Sequence, residues 1–143
     1  MEELTTLRSY IEAKRYDEAL ALIAEMEEMS LDDKINKIGS FIIILLIHLI
    51  KQAAEKRTTR SWDISIRNVL WEINRTNKRR KAGGWYVSEE ALRQTIEEAY
   101  PTALARASLE AFEGQYDEVQ LERFIDPAGI KEKALALILG EVG

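Results

Sequence analysis

Ile35-Asn36-Lys37-Ile38-Gly39-Ser40-Phe41-Ile42-Ile43-Ile44-Leu45-Leu46-Ile47-His48-Leu49-Ile50-Lys51 is the stretch that decides the fold. Ile35, Ile38, Ile42, Leu45 and Leu49 step by three and four, the spacing of a helical seam. Phe41, Ile43, Ile44, Leu46, Ile47 and Ile50 fill the positions between, so a helix here is apolar on nearly every face. Such a helix belongs in the middle of a bundle or in an oligomer interface. The isoleucines are β-branched and would also suit a strand. Length decides against that, because the pattern continues from Ile35 to Ala54 without a proline, beyond the reach of a typical strand. The spacing therefore predicts one central apolar helix over about 32–56. Gly39 within it costs about 1 kcal/mol of helix propensity and would let a neighbouring helix approach closely.

Towards the N-terminus, Leu4, Leu7, Tyr10 and Ile11 are helically spaced over about 2–14. Asp17 is a cap candidate for a second helix reaching Met29, with Glu18 placed to suit the dipole. Ser30, followed by Asp32 and Asp33, is the cap candidate for the central helix itself. Towards the C-terminus, Ser61 is expected to cap a helix through about Ala82, which Gly83-Gly84 stops. Ser88 opens the next helix. Pro101 should end or kink it near Tyr100 and could begin another that stops at Gly114. Asp117 opens a short helix to Ile125, and Asp126-Pro127 opens a last one closed by Gly140. Tyr16-Asp17-Glu18 is echoed by Tyr116-Asp117-Glu118, which reads as two helix starts solved alike rather than as a tandem repeat.

Composition agrees with an all-α domain. The 143 residues hold 46% hydrophobic and 31% charged side chains, with only two prolines and seven glycines. That length suits a single domain over 1–143 with its own core. No cysteine is present, which excludes disulfides and thiolate metal sites and makes a cytoplasmic location the expectation. The N-terminus Met1-Glu2-Glu3 is acidic, unlike a secretory signal. The apolar run Phe41 to Ile50 falls short of the roughly 20 residues of a bilayer span, so no membrane span is expected.

Little in the sequence carries chemistry. His48 is the single histidine and cannot build a zinc site unaided. No nucleophile elbow or phosphate-cradling loop is present, so no catalytic residue, cofactor or metal ligand is assigned, and an enzyme is the less favoured reading. One polar set stands out. His48 and Lys51 share a helix face, and Arg60, Trp62 and Arg67 of the next helix could join them in binding an anion. The same residues can equally form a helix–helix clasp.

Charge is unevenly distributed. Residues 56–81 carry nine Lys or Arg against two acids, whereas the remainder carries 11 basic and 23 acidic residues. The densest part is Arg75, Lys78, Arg79, Arg80 and Lys81. Cations suit the end of a helix, and a basic stripe is also what a nucleic-acid binder needs.

Leu46-Ile47-His48-Leu49-Ile50-Lys51, then Arg60-Ser61-Trp62, then Ser65-Ile66-Arg67, resembles the family known as domain of unknown function 29. Glu25-Met26-Glu27-Glu28-Met29 matches its acidic helix. The resemblance spans about 16–111 and leaves the C-terminal helices, about 115–140, outside it. It implies a small all-helical fold and no established activity. Gln52 stands where the family places Trp, and Ala53-Ala54-Glu55-Lys56 replaces a common proline, which puts a tight turn there in question and lengthens the apolar helix.

Together these features predict an irregular helical bundle around one central apolar helix. The leading functional expectation is an interaction or regulatory module acting through protein–protein contacts, with a protein partner or a second copy bound at the excess apolar surface of Phe41 to Ile50. The alternatives are a nucleic-acid-associated, antitoxin-like regulator using 75–81, and a small-ligand or enzymatic site at His48, Lys51, Arg60 and Trp62.

Overall fold

The computed structural model describes residues 2–79 and 83–140, without the side chains of residues 2 and 27–29. The fold is all-α, with no strand among the described residues. Among the described residues six α-helices follow one another: α1 (Glu2–Glu12), α2 (Tyr16–Glu55), α3 (Arg60–Asn77), α4 (Glu89–Glu110), α5 (Glu118–Glu122) and α6 (Pro127–Leu139). The chain divides into two compact units, Met1–Lys34 and Ile35–Gly143, with α2 contributing to both.

Two expected boundaries are absent. Ser30 caps nothing, and the apolar helix begins at Tyr16 rather than near residue 32. Helix formers such as Ala, Leu, Glu and Met dominate the chain before Ser30, and neither proline nor glycine interrupts it from Tyr16 to Ile38. A serine acts as a cap only where the backbone leaves helical geometry, and here nothing makes it leave. Pro101 likewise lies inside α4 and neither ends it nor starts another helix. Its exposed side sits between buried Tyr100 and buried Ala103 and Leu104. Core packing on that face outweighs the one backbone hydrogen bond that proline forfeits.

The larger unit is built around the second part of α2. Ile38, Ile42, Leu45, Leu46 and Ile50 are essentially inaccessible and meet Ile73 of α3, Leu92 and Ile96 of α4, Leu121 of α5 and Leu135 of α6. α4 packs on α5 and α6, and α3 on α6. The excess apolar surface expected on Phe41 to Ile50 is thus largely covered by this chain's own helices. Ile44 alone in that run is exposed. Half of the most apolar window of α2 is buried inside the fold, although the helix is long and apolar enough to cross a membrane.

Helix ends are set locally. Ser88 accepts from the Ala91 N–H, and Asp117 with Gln120 forms a reciprocal capping box. Pro127 opens α6, and Gly140 closes it in the left-handed conformation. α3 is capped by Thr59, two residues before the expected Ser61, and ends at Asn77 rather than near Ala82. Beyond Asn77 the chain forms an isolated antiparallel bridge between Lys78 and Trp85, with Gly83 and Gly84 both at positive φ. Buried Asn77 holds that ribbon closed. Its side-chain oxygen accepts from the Val87 N–H at 2.7 Å, and its amide donates to the Val87 carbonyl at 3.3 Å.

Candidate functional site

The end of α2, the start of α3 and the end of α4 meet at one corner. α2 stops because Lys56 adopts a left-handed conformation, φ 54°, and α3 begins four residues later. The turn is therefore tight without the family's proline. Side chains brace it instead: Thr58 donates to Asp63 at 2.7 Å, Gln52 donates to Thr58 at 2.8 Å, and the Trp62 N–H donates to Thr59 at 3.1 Å.

This turn places Trp62 against α2. The Lys51 ammonium lies 4.7 Å from the indole centroid, and the Arg57 guanidinium lies 4.8 Å from it. Each contact contributes about 0.5–2 kcal/mol, more where water is excluded. Lys51 Nζ also pairs with Glu110 Oε1 at 3.0 Å. Arg57 Nε donates to Glu55 at 2.9 Å, and the other Glu55 oxygen accepts from the Phe112 N–H at 3.3 Å. Phe112, Glu113 and Gly114 are three successive left-handed residues that turn the chain out of α4. Phe112 is further held by Tyr116 and Phe124, with ring centroids 5.4 and 5.1 Å away. Glu55 thus braces the strained turn just beyond Glu110.

His48 sits one turn before Lys51, half-buried, and its Nδ1 is buried with no hydrogen-bond partner among the described residues. Burial pushes its pKa down, the Lys51 ammonium pushes it further, and Glu110 pulls part of the way back. The ring is neutral at neutral pH as a result.

Of the residues singled out from the sequence, His48, Lys51 and Trp62 come together. Arg60 and Arg67 are exposed and take no part in the corner's contacts. Arg57 rather than Arg60 lies over the Trp62 indole, and the carboxylate at the corner is Glu110, paired with Lys51. Glu55, Arg57 and Glu110 had no distinctive spacing, and Glu110 lies far away in sequence. In the basic segment, Arg75 and Lys78 lie at the end of α3, and Arg79 leads into the ribbon. Arg80 and Lys81 lie outside the described residues.

The corner is built from paired and stacked side chains. Lys51 is engaged by a carboxylate and an indole, and the described residues contain no cluster of three or more His, Asp or Glu suited to a metal. Its arrangement joins three helices and leaves one buried imidazole nitrogen unmatched.

A long apolar helix covered by α3 to α6, with Lys51 and Trp62 stacked at the α2–α3 corner, makes this a small all-α domain. The chain belongs to the family described as domain of unknown function DUF29, whose pattern matches residues 9–124 of the chain. The match extends beyond the expected 16–111 at both ends and takes in α5. No curated protein and no solved structure matches the chain.

Proposed function

We propose that this protein is a helical interaction module that acts through protein–protein contacts, with its N-terminal unit as the contact element. The observation that carries this reading is the apolar surface of that unit. Leu4, Ile11, Tyr16 and Leu20 are 51%, 48%, 58% and 64% exposed, and Ile23 and Leu31 are also open. Ala19 alone is buried among the described residues 3–34. Tyr16, Leu20 and Ile23 follow one another at steps of four and three, so they form one stripe along α2. An amphipathic stripe of this kind stabilises a structure only when something covers it, and each such side chain gains about 1.5–3 kcal/mol on burial. The engaged state of Lys51 supports the same reading, because it leaves the His48 corner a clasp rather than a ligand site.

The test is affinity purification of the full chain from its host beside a Leu20→Glu, Ile23→Glu double variant, with light scattering on both. Expected is a stoichiometric protein, either a partner or an untagged second copy, held by the wild type and lost from the variant. A strictly monomeric wild type with no bound protein overturns the reading, and so does a variant that keeps its partner.

A further inference from the structure

At the opposite end of α3 from the corner, exposed aromatic rings alternate with cations. Trp71 is 60% exposed, and the Arg75 guanidinium lies over its ring at 4.9 Å. Trp71, Arg75 and Lys78 are spaced four and three apart, so they line one side of α3. The bridge between Lys78 and Trp85 brings a second indole, 56% exposed, to the end of that row. Arg79 follows Lys78 and lies over the Tyr86 ring at 5.6 Å, with its N–H donating to the Gly84 carbonyl. Asn77 fixes the ribbon through Val87, so the rings are presented on a braced support.

We infer that this surface binds single-stranded nucleic acid, with Trp71 and Trp85 stacking on bases and Arg75, Lys78 and Arg79 meeting phosphates. Large exposed rings beside guanidiniums are the two parts that sequence-tolerant single-strand binding requires. Charge favours a polyanion here, since residues 71–79 hold Arg75, Lys78 and Arg79 against one acid, Glu72. Glu72 pairs with Arg75 at 3.0 Å and must share it with a phosphate. A duplex hides its base faces, so the two indoles give preference for single strands. The acidic remainder of the chain confines the strand to this end of the molecule.

The experiment is fluorescence anisotropy of labelled oligo-dT and oligo-rU, and of a duplex of matched length, with the full chain. Both single strands are expected to bind at about 50 mM salt, with the logarithm of affinity falling against that of salt at a slope of about −2, from about 0.7 per phosphate met by the three cations. Trp71→Ala and Trp85→Ala should each weaken binding by about 5- to 150-fold, and Trp71→Phe should recover most of the first loss. Arg75→Gln with Arg79→Gln should make the slope shallower by about 1.4. Circular dichroism and melting curves identify any variant that fails to fold, and because Trp71 lies outside the core its substitution keeps the test intact if Trp85→Ala does not fold. No binding at low salt overturns the inference. So do affinities unchanged by Trp71→Ala, which would mean non-specific adsorption of a polyanion, equal binding of the duplex, or equal binding of an acidic polypeptide.

Discussion

The Lys51 ammonium is almost wholly buried, at 6% side-chain exposure, while the Glu110 carboxylate that pairs with it at 3.0 Å is 52% exposed. The two partners therefore depend on each other unequally. Losing Lys51 returns Glu110 to water at little cost. Losing Glu110 leaves an ammonium inside the fold with only the Trp62 ring to face.

Glu110→Gln is accordingly expected to destabilise by about 1–3 kcal/mol, below the cost of breaking a fully buried pair because one partner is half in water. Lys51→Met, which keeps the packed alkyl chain, should cost less. Urea denaturation of both variants checks the order. Equal losses, or a larger one for Lys51→Met, would show that the ammonium is better solvated than the structure has it.

His48 makes stability depend on pH. Its pKa in the fold is below the ordinary value of about 6.5, so the unfolded chain binds the extra proton first. The contribution from the neutral ring is complete above about pH 6.5 and is lost as pH falls through the folded pKa. Lys51 deepens this dependence, and Glu110 offsets part of it. His48→Leu should flatten the difference in unfolding free energy across that window. At neutral pH it should be about as stable as the wild type, because the buried Nδ1 makes no hydrogen bond to lose. Parallel pH profiles for the two proteins would contradict the assignment.

Asn77 is the closure of the ribbon that carries Trp85. Asn77→Leu removes both bonds to Val87, whose N–H and carbonyl then lie against apolar surface. A loss of about 1–3 kcal/mol is expected, together with faster hydrogen exchange at the Val87 amide and at Tyr86, which donates to the Asn77 carbonyl at 2.8 Å. Protection unchanged at Val87 would mean that another group holds it.

Gly39 does not need to be glycine. A methyl group added there would stand 3.5 Å from Thr95 Cγ2, an ordinary contact. Gly39→Ala should therefore keep the α2–α4 approach and gain up to about 1 kcal/mol of helix propensity, raising the melting temperature by about 2–4 °C. A fall in melting temperature would mean that the helices pack more tightly at this point.

The sequence by itself determined the helical class, the apolar half of α2, and the ends where the stop signal is local. Ser88 and Asp117 cap as expected, Pro127 opens α6 and Gly140 closes it, because such signals act on backbone groups within about one turn and need nothing from the rest of the chain; Asp126 precedes Pro127 without a side-chain capping bond. His48 and Lys51 were legible as neighbours from their helical spacing, with Trp62 of the next helix as a candidate to join them. Tertiary structure alone decided the rest. It carried α4 through Pro101, since buried neighbours on both sides outweigh one lost hydrogen bond. It matched Lys51 with Glu110, 59 residues away, and replaced Arg60 by Arg57 at the indole. It also covered most of the apolar helix with α3 to α6, leaving the open apolar stripe on the N-terminal unit. Periodicity says that a face must be buried, and only packing says what buries it.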